Sequence, residues 1–375
     1  MYVHLPFCPY VCPYCDFAKW PLRHADAQRY LAALELEIEA APGFAARTLF
    51  FGGGTPNAYG PDRITALVER LRRRFAAPLG FEEITVEMNP DRALCGEEVF
   101  AAYRAAGIDR ISLGVQSFVP AELAVLGRRH SAEDVSLAVR RARDAGIANV
   151  SLDLIFGTPG QTAASWRASL AAAIALEPTH VSTYGLTIEE NTPFAAWFAR
   201  APAAFASNDL EAELYAIAID TLAAAGFEHY ETSNFARPGA RSRHNANYWA
   251  NGEYLGLGVG AASYLGGVRS VHVRELNAYI TAALAGGPVP GEDECLEGPA
   301  KLGEAAMLAL RTAEGVDRIA FAERYDVDFL DFYAPVVREM RAAGLLDVTP
   351  SHVRLTRRGR FLANDVCGAF VTYRT

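Results

Sequence analysis

Residues 2–17 read YVHLPFCPYVCPYCDF, a short apolar run interrupted by Pro6 and followed by cysteines at positions 8, 12 and 15. Tyr2–Leu5 predicts a strand, with the cysteines on the loop that leaves it. A helical stretch follows from about Ala25 to Ala41. The next strand, Thr48–Phe51, ends at Gly52-Gly53-Gly54-Thr55-Pro56, and a helix is expected over Pro61–Phe75. Further strands fit Ile84–Met88, Arg110–Leu113, Asn149–Ile155 and Val181–Tyr184, with Ala-rich amphipathic stretches between them. Strand, loop and helix repeated about six times predicts βα units in a parallel sheet. No break interrupts the units before about Tyr230. An α/β fold is therefore expected over residues 1–230, as a partial or full TIM-like (β/α) barrel.

Beyond Glu231 the periodicity weakens and Gly and aromatic residues increase, so residues 231–297 are expected to form a connector. Pro288, Pro290 and the acidic run Glu292–Glu294 suggest a linker. Residues 298–375 predict a small C-terminal helical domain, with helices near Lys301–Arg311, Asp317–Arg324 and Phe329–Ala343 and a strand-like pair around Leu346–Leu355. That order is winged-helix-like. Such modules often bind DNA, but Arg357, Arg358 and Arg360 make only a thin basic patch.

A chain of 375 residues that is 51% hydrophobic has material for an ample core and is not disordered. The net charge of −9 argues against generic attraction to nucleic acid or an anionic membrane. The N-terminus shows no basic region followed by an apolar one, and no apolar run is long enough to span a bilayer. A cytoplasmic protein without a transmembrane segment is expected.

Of the six cysteines, Cys8, Cys12 and Cys15 lie within eight residues, whereas Cys95, Cys295 and Cys367 are scattered and read as bystanders. Three thiolates on one loop can converge on one face of a [4Fe–4S] cube and leave one iron open. Two other readings exist. One is a structural zinc site short of a ligand. The other is a redox dithiol at Cys12-Pro-Tyr-Cys15, in which Cys8 would be superfluous.

C-x-x-x-C-x-x-C after a first strand, with Tyr14 before the third cysteine, resembles the radical S-adenosylmethionine (SAM) superfamily. Gly53, Gly54 and Thr55 are similar to its glycine motif, where the absence of Cβ atoms lets backbone approach the ligand. The segments Glu87-Met-Asn-Pro90, Leu113-Gly-Val-Gln-Ser117, Leu126-Gly-Arg128-Arg-His130 and Asp153-Leu-Ile-Phe-Gly-Thr-Pro-Gly-Gln161 resemble a narrower family. These are the oxygen-independent coproporphyrinogen III oxidases and their haem-chaperone relatives, and the likeness runs from Tyr2 to about Val366.

The resemblance implies a [4Fe–4S] cluster on Cys8, Cys12 and Cys15, and SAM contacts from Glu87, Gln116, Arg128 and Asp153. Tyr2 is implied near the methionine end. The residues agree chemically. Glu87 closes a strand at the mouth of a barrel, Asp153 is a carboxylate in an otherwise buried strand that needs a polar partner, and Arg128 can fork onto a carboxylate.

Two features separate the branches. The oxidase branch carries a fourth cysteine where this chain has Phe17. His244-Asn245-Ala-Asn-Tyr248-Trp249 resembles the H-N-x-x-Y-W motif of the haem-chaperone branch, with His244 as a candidate haem ligand and the aromatic faces suited to a porphyrin. The glycine run Gly256–Gly260 lacks the βαβ context of a dinucleotide loop, so close backbone packing is expected there. The chain is thus expected to bind haem and pass it to an acceptor protein, drawing on an electron donor for its cluster. The alternative is oxidative decarboxylation of coproporphyrinogen III to protoporphyrinogen IX.

Overall fold

The computed structural model describes residues 1–374. Six strands pair side by side in chain order, all parallel: β1 (Tyr2–Leu5), β2 (Thr48–Gly53), β3 (Glu83–Met88), β4 (Arg110–Gln116), β5 (Asn149–Phe156) and β6 (His180–Gly185). Helices α1 (His24–Ala40), α2 (Pro61–Phe75), α3 (Glu97–Ala105), α4 (Ala132–Asp144), α5 (Ala163–Ala175) and α6 (Asn208–Ala224) lie between or after them. In α2, Ile64, Leu67, Val68 and Leu71 recur at helical spacing and are buried, so one stripe packs while its arginines stay in water. Capping boxes at Ser131/Asp134 and Thr162/Ser165 start α4 and α5.

Strand alternation separates the two faces of the sheet. Ile111, Leu113 and Val115 are fully buried in the main apolar core, while Arg110, Ser112 and Gln116 take the other parity. The inner face is therefore polar, which is where a site can form.

Residues 231–297 do more than connect. β7 (Glu228–Glu231) and β8 (Asn234–Ala236) extend the sheet antiparallel beyond β6, and β9 (Gly256–Leu257) pairs parallel with β1. The order is β9-β1-β2-β3-β4-β5-β6-β8-β7, with no pairing between β9 and β7 among the described residues. The barrel is thus the partial form. The expected linker at 288–294 is corrected: β10 (Ala262–Leu265), β11 (Val268–His272) and β12 (Gly291–Cys295) form an antiparallel sheet, with the acidic run paired along β11. A helix, α7 (Arg243–Trp249), precedes β9, and α8 (Leu276–Leu284) packs against α1. At Gly256 an added Cβ would fall 2.0 Å from the Ala262 carbonyl oxygen, which accounts for the glycine by close packing.

The C-terminal module begins with α9 (Gly298–Leu310), followed by β13 (Val316–Asp317) and α10 (Arg318–Tyr325). The single helix expected over Phe329–Ala343 is two, α11 (Phe329–Phe332) and α12 (Ala334–Ala342). Pro335 sits in the first turn of the second and cannot continue a preceding helix. β14 (Leu346–Val348) and β15 (His352–Leu355) form the expected pair, and β13 adds a third strand. Two helices not anticipated, α13 (Arg357–Phe361) and α14 (Ala363–Val371), finish the module. Its own core centres on Phe329, Tyr333, Val353, Val366 and Phe370.

The thin basic patch does not face solvent as a unit. Arg357 forks onto Asp220 of α6 at 2.6 and 2.9 Å, and Arg360 lies 2.9 Å from His229 of β7. These cations dock the module on the sheet domain. The Thr232 amide adds a bond to the Arg311 carbonyl at 3.0 Å. Among the described residues no helix is long and apolar enough to cross a membrane.

Candidate cofactor site at the mouth of the sheet

The carboxyl ends of β1 to β6 surround a cavity of about 380 Å³. Cys8, Cys12 and Cys15 all line it. Their loop is closed at its base, where Phe7–Cys8 pairs in parallel with Trp20–Pro21, and Lys19 donates to the Cys15 carbonyl. Cys8 and Cys12 are buried. Burial pushes the Cys8 thiol up to about 11, against a hydrogen bond from Thr55, and burial likewise raises Cys15. Neither is a thiolate at neutral pH without a cation to stabilise it. Among the described residues no three His, Cys, Asp or Glu side chains converge on a single ion position.

The glycine motif lies against this loop. The Gly54 amide donates to the Leu5 carbonyl at 2.9 Å and the Thr55 amide to the Phe7 carbonyl at 3.1 Å. A Cβ on Gly54 would sit 2.6 Å from the Pro6 carbonyl carbon, and one on Gly53, whose φ is +107°, would meet the His4 ring at 2.5 Å. Only glycine allows this cradle.

Glu87 accepts the Gly53 amide at 3.2 Å. Burial, then the charge of Asp153, pushes its carboxyl up to about 7. Asp153 accepts from the hydroxyls of Ser182 (2.7 Å), Ser112 (2.9 Å) and Ser151 (3.2 Å). Burial raises its carboxyl, and the serines oppose that shift. These hydroxyls are the polar partners that a carboxylate in this strand demands.

Gln116 lies at a register shift in β4 with φ +65°, a strained conformation that aims it into the cavity. Arg128 donates to the Gly114 carbonyl at 2.6 Å and approaches the Cys12 sulfur at 3.7 Å, while its Nε has no partner. Tyr14 lines the cavity and packs on Phe194.

Ten of the expected residues beside the three cysteines were Tyr2, Tyr14, Gly53, Gly54, Thr55, Glu87, Gln116, Arg128, Asp153 and His244; all but Tyr2 and His244 line this cavity. Those two line a second cavity of about 640 Å³, which shares Gly53, Glu87, Ser112, Asp153 and Tyr184 with the first. The Tyr2 hydroxyl is bonded to His4 Nδ1 at 3.0 Å and its ring stacks on Phe50. His244, in α7, is 2% exposed, with Nδ1 2.9 Å from Thr48 Oγ1 and Nε2 2.8 Å from the Tyr248 hydroxyl. Burial lowers its pKa well below the usual histidine value, so the ring is neutral. Trp249 faces elsewhere, into a cleft against the C-terminal module.

Sequence reasoning missed Tyr10, whose ring lies under Arg128 and Arg129, and Tyr184. Tyr184 had a readable signal, since it ends a strand and shares the parity of Ser182. Phe17 is 64% exposed and borders both cavities.

Residues 2–173 match the radical SAM superfamily model and residues 296–362 the HemN C-terminal domain model. The haem chaperone HemW of Bacillus subtilis is 35% identical over 99% of this chain and 98% of its own. This chain belongs to the HemW family. The HemW protein of Mycobacterium tuberculosis is 37% identical over 98% of this chain and 93% of its own. A solved structure described as coproporphyrinogen III oxidase (HemN) from Escherichia coli, a radical SAM enzyme, has a TM-score of 0.86 at 26% identity, covering 99% of this chain and 89% of that one. The HemN structure thus shares the architecture, while the HemW sequences share more of the residues. The expected haem-chaperone branch, read from Phe17 and the H-N-x-x-Y-W motif, agrees with HemW membership.

Proposed function

We propose that the chain binds haem and hands it to an acceptor protein, while holding a [4Fe–4S] cluster on Cys8, Cys12 and Cys15 with SAM at the open iron. The full-length likeness to HemW haem chaperones carries this reading. The cavity residues fit the two cofactors: three thiols line one pocket, the backbone of Gly53 and Gly54 lines the same pocket, and Arg128 has an orphaned Nε. Glu87, Gln116, Arg128 and Asp153 would hold SAM by its hydroxyl and charged groups. When bound, cluster and SAM supply one-electron cleavage of a carbon–sulfur bond. The protein positions the pair and excludes competing reactions. Unprotected thiols of this kind belong in a reducing compartment, so we place the protein in the cytoplasm.

The likeness to HemN favours one second reading, decarboxylation of coproporphyrinogen III to protoporphyrinogen IX. Anaerobic reconstitution with iron, sulfide and SAM, followed by haem titration and a coproporphyrinogen assay on the same sample, separates the two. Stoichiometric haem binding with no turnover is expected. Robust protoporphyrinogen formation overturns the chaperone reading.

His244 is proposed as the haem ligand. Its neutral ring has one lone pair, held in this structure by a hydroxyl of Thr48 or Tyr248. Ligation therefore requires one hydroxyl to turn away. With the lone pair on Nε2 and the proton on Nδ1 donated to Thr48, Tyr248→Phe removes that competition and is expected to leave haem affinity equal or higher. His244→Ala is expected to change the haem absorption spectrum. An unchanged spectrum in His244→Ala rules out ligation by this residue.

A further inference from the structure

Three guanidinium groups line the inner, 640 Å³ cavity: Arg110, Arg269 and Arg274. Two are already neutralised. Arg269 pairs with Glu304 at 2.5 Å and donates to the Tyr254 hydroxyl, and Arg274 reaches the Asp16 carboxylate at 3.4 Å. Arg110 is different. It opens β4, is 2% exposed, and among the described residues has no carboxylate within ion-pair distance and no partner for its Nε. Thr85, its register partner on β3, is fully buried and its hydroxyl is also without a partner.

A buried charge with no partner is strongly disfavoured, and such groups are ordinarily paired or hydrogen-bonded. Glu87 and Asp153 share the cavity beyond ion-pair distance of Arg110; its charge reaches both and acts to lower their carboxyls, but neither hydrogen-bonds the guanidinium itself. The cavity volume falls within the range of about 300–1,000 Å³ typical of small-molecule sites. Tyr2, Phe50, Tyr248 and Tyr254 give it aromatic walls. A ligand with a flat apolar body and a carboxylate matches both the walls and the orphaned cation.

We infer that Arg110 anchors a carboxylate of the ligand that enters this cavity, which in a haem is a propionate. The inference rests on the haem reading above and adds the group by which haem is held. A guanidinium forks onto a carboxylate through two parallel N–H bonds, whereas an ester offers it no charge.

The test uses the full-length reconstituted chain and two probes, ferric haem and its dimethyl ester, titrated by absorbance. The wild type is expected to bind haem about 10-fold or more tightly than the ester, the size of a charged hydrogen bond. Arg110→Met is expected to bind both with the ester's affinity, and Arg110→Lys to restore part of the preference. A preference that survives in Arg110→Met, or no preference in the wild type, overturns the anchor and leaves the haem reading intact. Failure of the wild type to bind either probe overturns the haem reading itself.

Discussion

Cys12→Ser, reconstituted anaerobically with iron and sulfide, is expected to yield protein with no [4Fe–4S] absorption and no paramagnetic signal after reduction. The effect should be complete because a cube held by three protein thiolates has no spare ligand. A serine hydroxyl is not ionised near neutral pH, and no other cysteine lines the cavity. The substitution changes one atom in a loop whose backbone bonds, from Trp20 to Pro6 and from Leu22 to Cys8, remain available. Cys12 is buried, so exchanging its sulfur for a hydroxyl should cost the apoprotein about 1–3 kcal/mol, short of unfolding it. Cys95→Ser is the control. Cys95 is 1% exposed and packs behind the site with its sulfur 3.4 Å from the Asn89 carbonyl, so the cluster signal should persist. A wild-type signal in Cys12→Ser would place the cluster elsewhere.

The parts of this fold that could be read from sequence are those governed by one local rule. Strands β1 to β6 and helix α2 carry unbroken periodicity, and the structure sets their boundaries within a few residues of the expected ones. What escaped reading depends on distant partners. β9 is two residues long, too short to show a period, and exists because Tyr2 and Val3 offer it an edge. β12 reads as an acidic linker because all five of its residues are exposed, so no buried face leaves an alternation to detect. The site divides the same way. The cysteine spacing and the three glycines are contiguous, whereas Arg110 looks like an ordinary strand residue until its missing partner is seen. The role of the C-terminal arginines was hidden likewise, since Asp220 lies 137 positions from Arg357.

Glu87→Gln should separate stability from binding. The Glu87 carboxyl is raised from 4.5 to about 7 by burial first and by Asp153 second. Between those values the unfolded chain has lost a proton that the folded chain retains, so stability falls as pH rises through the window and is flat above it. At about 1.4 kcal/mol per unit, the full burden at pH 8 is roughly 3 kcal/mol as an upper figure, reduced by water in the cavity. Glutamine keeps the shape and the bond from the Gly53 amide but carries no charge. The apoprotein variant is therefore expected to melt higher than wild type at pH 8 and equal to it near pH 4.5. If the two proteins differ equally at both pH values, repulsion by Asp153 and burial of the charge are not what burdens this position. Binding should move the other way. A carboxylate that accepts from a hydroxyl or ammonium of SAM contributes about 1.5–3 kcal/mol, so SAM affinity of the reconstituted variant should fall roughly 10- to 100-fold. A variant more stable yet weaker for SAM shows that the fold retains this carboxylate against its own stability, as expected where a charged ligand completes the site. Undiminished SAM affinity would remove Glu87 from the ligand shell and leave Asp153, with its three serine donors, as the carboxylate of the pair that faces SAM.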